Sequence, residues 1–216
     1  MDDSHLVKQA YNSLYELSEL GQENWCTHVK NALIKNHLEP AWEEQYLNSK
    51  MISTLKENLH KQFMEHSLRQ INDSTTNPKL RTYKLFKTQY KLEPHLMSPT
   101  NLNHTYALAR FRISSHNLRI ETGRYTKPKT PANERLCLYC PSQSVEDESH
   151  FLLNCNLYSQ ERSELLDTIK LFVHNFDDLS ELEQFSAIMC SSEPLVIKNL
   201  GKFVYNGLKK RSTQTI

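Results

Sequence analysis

Cys137-Leu-Tyr-Cys140, then nine residues, then His150-Phe-Leu-Leu-Asn-Cys155: around this stretch the rest of the chain arranges itself. Its pattern is C-x2-C, x9, H-x4-C. Zinc takes four nitrogen or sulfur ligands in a tetrahedron, and two close pairs joined by a loop can wrap one ion. Three of the five cysteines fall inside this 19-residue window. Buried inert thiols beside a histidine are the plainer alternative, and the clustering argues against it. Four ligands leave no open position, so the pattern predicts a structural zinc site rather than a catalytic one. Glu146, Asp147 and Glu148 stand nearby, but Ser144 through Asp147 reads as a capping box. The spacing therefore predicts a helix over 145–154 carrying His150 on its second turn, with Cys155 just past the end. Cys26 and Cys190 are expected to be buried apolar residues.

Outward from this stretch, composition limits the fold. Only four glycines and eight prolines occur in 216 residues, too few for a turn-rich β fold or a low-complexity chain. No apolar run approaches the ~18 residues of a membrane span, and no signal-peptide pattern opens the sequence. Sparse cysteines at metal spacing imply a reducing compartment, nucleus or cytoplasm. The expected class is mainly α: a helical bundle-like array with a small zinc-stapled loop-helix element.

Apolar spacing predicts helices over 4–20 and 24–37. A long helix is expected over 42–71, opened by Pro40, with Ile52, Leu55, Leu59 and Phe63 as its packed stripe. The turn-rich 72–78, Asn-Asp-Ser-Thr-Thr-Asn-Pro, is the first boundary. A short helix is expected over 79–91, its aromatics Tyr83, Phe86 and Tyr90 inward. Pro94 and Pro99 separate it from a helix over 104–118 with Leu108, Phe111, Ser115 and Leu118 packed. Three further helices follow at 159–176, 180–190 and 194–210, the first capped by Ser159, and Asp178 is expected to cap or open the second. The predicted division is 1–73, an N-terminal helical segment; 79–158, basic helices with the zinc element; and 159–216, C-terminal helices.

A formal net charge of +1 hides an uneven distribution. Residues 78–140 carry twelve Lys/Arg against three acids, and each flank has a balance of −4. A basic middle suits a polyanion, and a helical surface neutralised by acids from the flanks is the alternative. The candidate nucleic-acid contacts are Lys79, Arg81, Lys84, Lys87, Lys91, Arg110, Arg112, Arg119, Arg124, Lys127 and Lys129. The last three lie in the loop 123–131, Gly-Arg-Tyr-Thr-Lys-Pro-Lys-Thr-Pro, too poor in apolar residues to be core. Alanine at Arg81, Lys84 and Lys87 should reduce the salt dependence of binding if these residues face phosphate.

Several segments together resemble one family. They are Asn77-Pro-Lys-Leu-Arg-Thr-Tyr-Lys-Leu-Phe-Lys87, Leu92-Glu-Pro-His-Leu96, Leu108-Ala-Arg-Phe-Arg-Ile-Ser-Ser-His116, Ile120-Glu-Thr-Gly-Arg-Tyr125, and the Cys/His stretch from Arg135 to Tyr158. They look like the carboxy-terminal region of reverse transcriptases from LINE-type (non-LTR) retrotransposons, over roughly residues 24–165. The resemblance implies a region that holds template RNA or target DNA, with Cys137, Cys140, His150 and Cys155 as zinc ligands. It also implies the remainder of such a polyprotein as a partner. The catalytic parts of that family have no counterpart in this sequence. Phe176-Asp177-Asp178 lacks the intervening residue and the flanking strands of a polymerase aspartate turn. No catalytic residue, membrane partner or small-molecule substrate is expected. Two other readings stay open: a zinc-stapled protein-interaction module, or an element remnant without function.

Overall fold

Caps and breakers in the sequence set the segment boundaries, and the computed structural model describes them over residues 5–73, 75–98 and 101–214. Ser4, Ser74 and Pro99, named above, lie outside those residues. The chain divides into two units, 1–66 and 67–216.

In the first unit, α1 (Leu6–Glu19) packs with α2 (Trp25–Lys35), which packs with the short α3 (Glu39–Glu43). Asn24 opens α2 by accepting from Cys26 N–H, with Thr27 completing a capping box. Cys26, Leu33, Ala41 and Trp42 form the small core, flanked by Tyr15 stacked 5.4 Å from Trp42. The single long helix expected from Trp42 does not form. Pro40 opens α3, the chain breaks at Gln45 (φ 53°), and Asn48 accepts from Met51 N–H to start α4 (Ser49–Asn72) afresh. Glycine and proline are absent from the break; a side-chain cap makes it. The expected stripe shifts with it. Met51 and Leu55 pack on the core, whereas Ile52, Leu59 and Phe63 are exposed.

The second unit is built on α6 (Leu102–Arg112) and α10 (Pro194–Thr213), which pack along each other, with α8 (Ser159–Lys170) against α10. Shorter pieces complete it: α5 (Pro94–Met97), α7 (Arg119–Thr122) and α9 (Glu181–Met189). Ser180 caps α9 through a capping box with Glu183, so Asp178 is not the cap and ends a 3-10 turn over Phe176–Asp178. Ser159 is the first residue of α8, not its cap. Residues 79–158 and 159–216 share one core, in which Phe111, Phe151, Leu165, Phe203 and Val204 are all buried. Gly201 permits the close approach of α10 to α6, because a Cβ there would stand 3.2 Å from the His104 carbonyl oxygen. Cys26 is buried as expected, but Cys190 is exposed.

Two expected helices are shorter or different. Residues 79–91 contain two 3-10 turns, Pro78–Leu80 and Tyr83–Leu85, rather than one helix. The helix expected to 118 ends at Arg112, where Ser114 turns the backbone left-handed (φ 54°). Both departures have one cause: buried ion pairs and side-chain bonds to the main chain position these segments more firmly than helix propensity does.

Candidate metal centre

The first ligand pair sits in a narrow loop closed by the bridge Leu136–Val145, the only β pairing among the described residues. Cys137 N–H donates to Ser144 O at 2.8 Å, and Glu146 N–H to Arg135 O at 2.9 Å. Gln143, at φ 52°, makes the tight return. Of the helix expected over 145–154, residues 148–154 are helical, widening into a π turn over His150–Asn154, while Val145 belongs to the bridge. Asp147 opens that turn, its Oδ1 accepting from His150 N–H at 2.9 Å. At its far end Cys155 N–H donates to His150 O at 2.8 Å. An i→i+5 bond of this kind stacks residues five apart on one side, which an α-helix would not do. Cys155 follows immediately in extended conformation.

The two pairs meet. The ligand atoms of Cys137, Cys140, His150 and Cys155 all lie within 4.8 Å of one another. Cys137 Sγ is 3.8 Å from Cys155 Sγ, and Cys140 Sγ is 3.3 Å from His150 Nε2. Zinc–sulfur bonds of about 2.3 Å at tetrahedral angles would place two sulfurs about 3.8 Å apart, and a sulfur and a nitrogen about 3.6 Å apart. The residues therefore fit a tetrahedral metal ion, and three thiols with one imidazole are the donor set zinc prefers. Burial pushes the Cys155 thiol up to about 12 and raises Cys137 as well. Burial also works against ionising Cys140, but hydrogen bonds led by Ser142 Oγ hold it below its ordinary value. Burial lowers His150, favouring the neutral ring that ligates. His150 Nδ1 is buried without a hydrogen-bond partner.

Charged residues from distant parts of the chain brace this element. Arg162 of α8 is buried and donates from Nε to Leu152 O (2.8 Å) and from Nη2 to Cys155 O (2.7 Å), satisfying carbonyls that the π turn leaves open. Of the acids beside the expected capping box, Glu146 and Glu148 are buried. Glu146 accepts a two-pronged bond from Arg211 of α10, at 2.7 and 2.8 Å, and also Arg119 N–H at 2.8 Å. Glu148 accepts from Arg81 and from Ser114 Oγ (2.7 Å), and its Oε1 lies 2.9 Å from His116 Nε2. Burial alone would raise Glu148, but His116, Arg81 and Ser114 together hold it at about 2. Glu121 pairs with Arg81 and Arg124.

The eleven candidate bases therefore divide. Arg81, Lys87, Arg112 and Arg124 are paired with carboxylates inside the unit, Lys87 and Arg112 both with Glu93. Arg112 also donates to Met189 O and lies 4.2 Å from the Phe86 ring, so it is not free for the nucleic-acid contact expected of it. Arg119 is half-buried, and Lys84 is half-buried and engaged within the fold. Lys79, Lys91, Arg110, Lys127 and Lys129 are exposed.

Two contacts gather part of that exposed set. Lys79 Nζ lies 5.9 Å over the ring of Tyr125, which is itself 68% exposed, and Arg124 Nη2 donates to Pro78 O at 3.0 Å. The 3-10 turn at 78–80 and the loop 123–131 are thus side by side. Arg135, two residues before the first ligand, grips the loop through Thr130 O (2.9 and 2.8 Å) and also reaches Ile120 O at 2.5 Å. No sequence signal marked Arg135 or Arg162; an arginine beside a loop or ligand rich in unpaired carbonyls is the available hint. No described helix is long and apolar enough to cross a membrane. Compared with known protein families, curated proteins and solved structures, the chain matches none.

Proposed function

We propose that this chain is a zinc-stabilised nucleic-acid-binding region without catalytic residues of its own, of the kind found at the carboxy-terminal side of non-LTR retrotransposon reverse transcriptases. It would contact template RNA or target DNA alongside the rest of such a polyprotein. The family assignment rests on the sequence resemblance. The nucleic-acid reading rests on one observation above the others, the juxtaposition of Lys79 with the exposed Tyr125 in a loop that also carries Lys127 and Lys129. A cation beside an exposed aromatic ring offers a strand both phosphate neutralisation and base stacking.

Zinc, when bound, supplies no reaction here; it fixes the loop from which Cys137 and Cys140 project. Arg135 then transmits that order to Thr130 and so to the basic loop. The internally paired bases set the frame, and the exposed ones meet phosphate.

Replacing Lys79, Lys127 and Lys129 with Ala should lower the slope of log affinity against log salt by about 2 to 3 for a duplex, since each phosphate contact contributes about 0.9. Zinc-loaded protein titrated against labelled RNA and DNA at several salt concentrations measures it. Salt-insensitive or unmeasurable binding by the unaltered protein would replace this reading with the protein-interaction module.

A further inference from the structure

A groove of about 530 Å³ runs between α6 and α10, and Thr122, the residue before the basic loop, lines part of it. It is lined by Tyr106, Arg110, Asn117, Tyr205 and Lys209, among others, and no carboxylate lines it. Tyr106 is 62% exposed. Arg110 is fixed rather than free: its Nε donates to Ser115 O at 3.1 Å, which places the guanidinium 5.6 Å from the Tyr106 ring. Tyr205 packs 5.3 Å from His104 on the groove's other wall, and Asn117 Nδ2 donates to Ser212 Oγ at 3.2 Å across its end. Among the described residues no carboxylate pairs with Arg110 or Lys209, in contrast to Arg112 one turn-half away on the same helix.

An open concavity with an exposed aromatic face, two cations without counter-charge and amide groups at the edge has the chemistry of a nucleotide site. We propose that this groove holds one nucleotide of a single strand, its base against Tyr106 and its phosphate between Arg110 and Lys209. Asn117 and the Tyr205 hydroxyl are then the polar groups nearest the base and sugar. The inference rests on the nucleic-acid reading above and adds to it a preference for unpaired strands, because a base must leave its stack to reach Tyr106. The size suits this ligand: small-molecule sites commonly span about 300–1,000 Å³.

The test uses the full zinc-loaded chain with a labelled twelve-nucleotide RNA, the matching duplex, and adenosine monophosphate. Tyr106→Ala should weaken the single strand about tenfold and leave duplex affinity unchanged, while Tyr106→Phe binds like the unaltered protein. Tyr106 is on the surface, and equal zinc content in each variant checks that folding is intact. Photocross-linking of a 5-iodouridine strand should place the adduct in the peptide carrying Tyr106. If adenosine monophosphate shifts the resonances of 106, 110 and 209 while Tyr106→Ala spares the oligonucleotide, the groove is a nucleotide site whose source is the free nucleotide. If Tyr106→Ala changes neither, the groove proposal falls, and loss of binding on Lys127→Ala with Lys129→Ala would leave the loop reading standing. If the unaltered protein binds no nucleic acid, the loop reading falls, and adenosine monophosphate alone decides the groove.

Discussion

The two units solve the same problem by different means. In the first, four residues, Cys26, Leu33, Ala41 and Trp42, make a small apolar core ringed by aromatic contacts, and α1 has no buried residue at all. In the second, a large apolar cluster is threaded with buried charge: Glu121, Glu146, Glu148, Arg112, Arg135 and Arg162 are all buried. An apolar core tolerates imprecision because burial is non-directional. Buried charge does not, because each unpaired ion or carbonyl costs several kcal/mol. The second unit should accordingly be the more brittle, and the Cys/His cluster lies among its buried charges.

The largest test of this contrast is metal removal. Chelation, or Cys155→Ser, should abolish exchange protection over 132–158, because structural zinc contributes its binding free energy to folding. Since Phe151, Leu152 and Tyr158 belong to the shared core, protection in α8 and α10 should weaken too. Protection in α1 and α2 should not change. Hydrogen-exchange mass spectrometry reads both units in one sample, and equal loss in the first would erase the distinction.

Next in size is the ionic network. Glu148→Ala strands Ser114 and His116, leaves Arg81 with Glu121 alone, and should cost about 3 kcal/mol by denaturant melting. A truncation of the first unit's exposed pair, Glu19→Ala beside Lys30, should by contrast cost under about 1 kcal/mol.

Acid should distinguish the units by a smaller margin. Burial holds His95 at about 4, helped by the Arg112 charge against the opposing pull of Glu93. A histidine ordinarily near 6.5 gains its proton in the unfolded chain first, so stability is full above about pH 6.5 and declines as pH falls toward 4. His95→Gln should flatten that limb by on the order of 2 kcal/mol. Parallel acid limbs in the two proteins would remove His95 from the account.

Gly207 gives the smallest effect. A Cβ there would meet Phe151 Cζ at 2.7 Å, so Gly207→Ala must push the ring that stands one residue from a ligand. The gain in helix propensity, about 1 kcal/mol, offsets part of an overpacking cost of about 2 kcal/mol. A net loss near 1 kcal/mol in thermal melting is expected; a net gain would mean that Phe151 has room to move.

How much of this could be read from the residues follows the same divide. The mainly helical class, the approximate positions of α2, α9 and α10, and the four residues of the Cys/His cluster were legible, because periodicity, caps and a C-x2-C spacing are local signals. The break at Gln45 was not, since Asn48 as a cap looks like any polar residue in an amphipathic run. The 3-10 turns at 78–85 and the interior roles of Glu146 and Glu148 were not either. Their determinants are partners such as Arg81 and Arg211, 67 and 65 positions away. Regional charge totals showed a basic middle but not which of its members were already neutralised.

The π turn at 150–154 has a last consequence, one of register. On an α-helix, a histidine and a cysteine four apart share a face; here they are five apart, and the wider turn absorbs the extra residue. Deleting Leu153 would let an ordinary helix bring the same two ligands together, so the tetrad could survive. The wider turn already takes up that residue, so the chain beyond would keep its register, and Tyr158 and Arg162 their seats. The extra residue is thus spare to the spacing of the Cys/His cluster. What the wider turn adds is its set of open carbonyls, and these are what Arg162 fills.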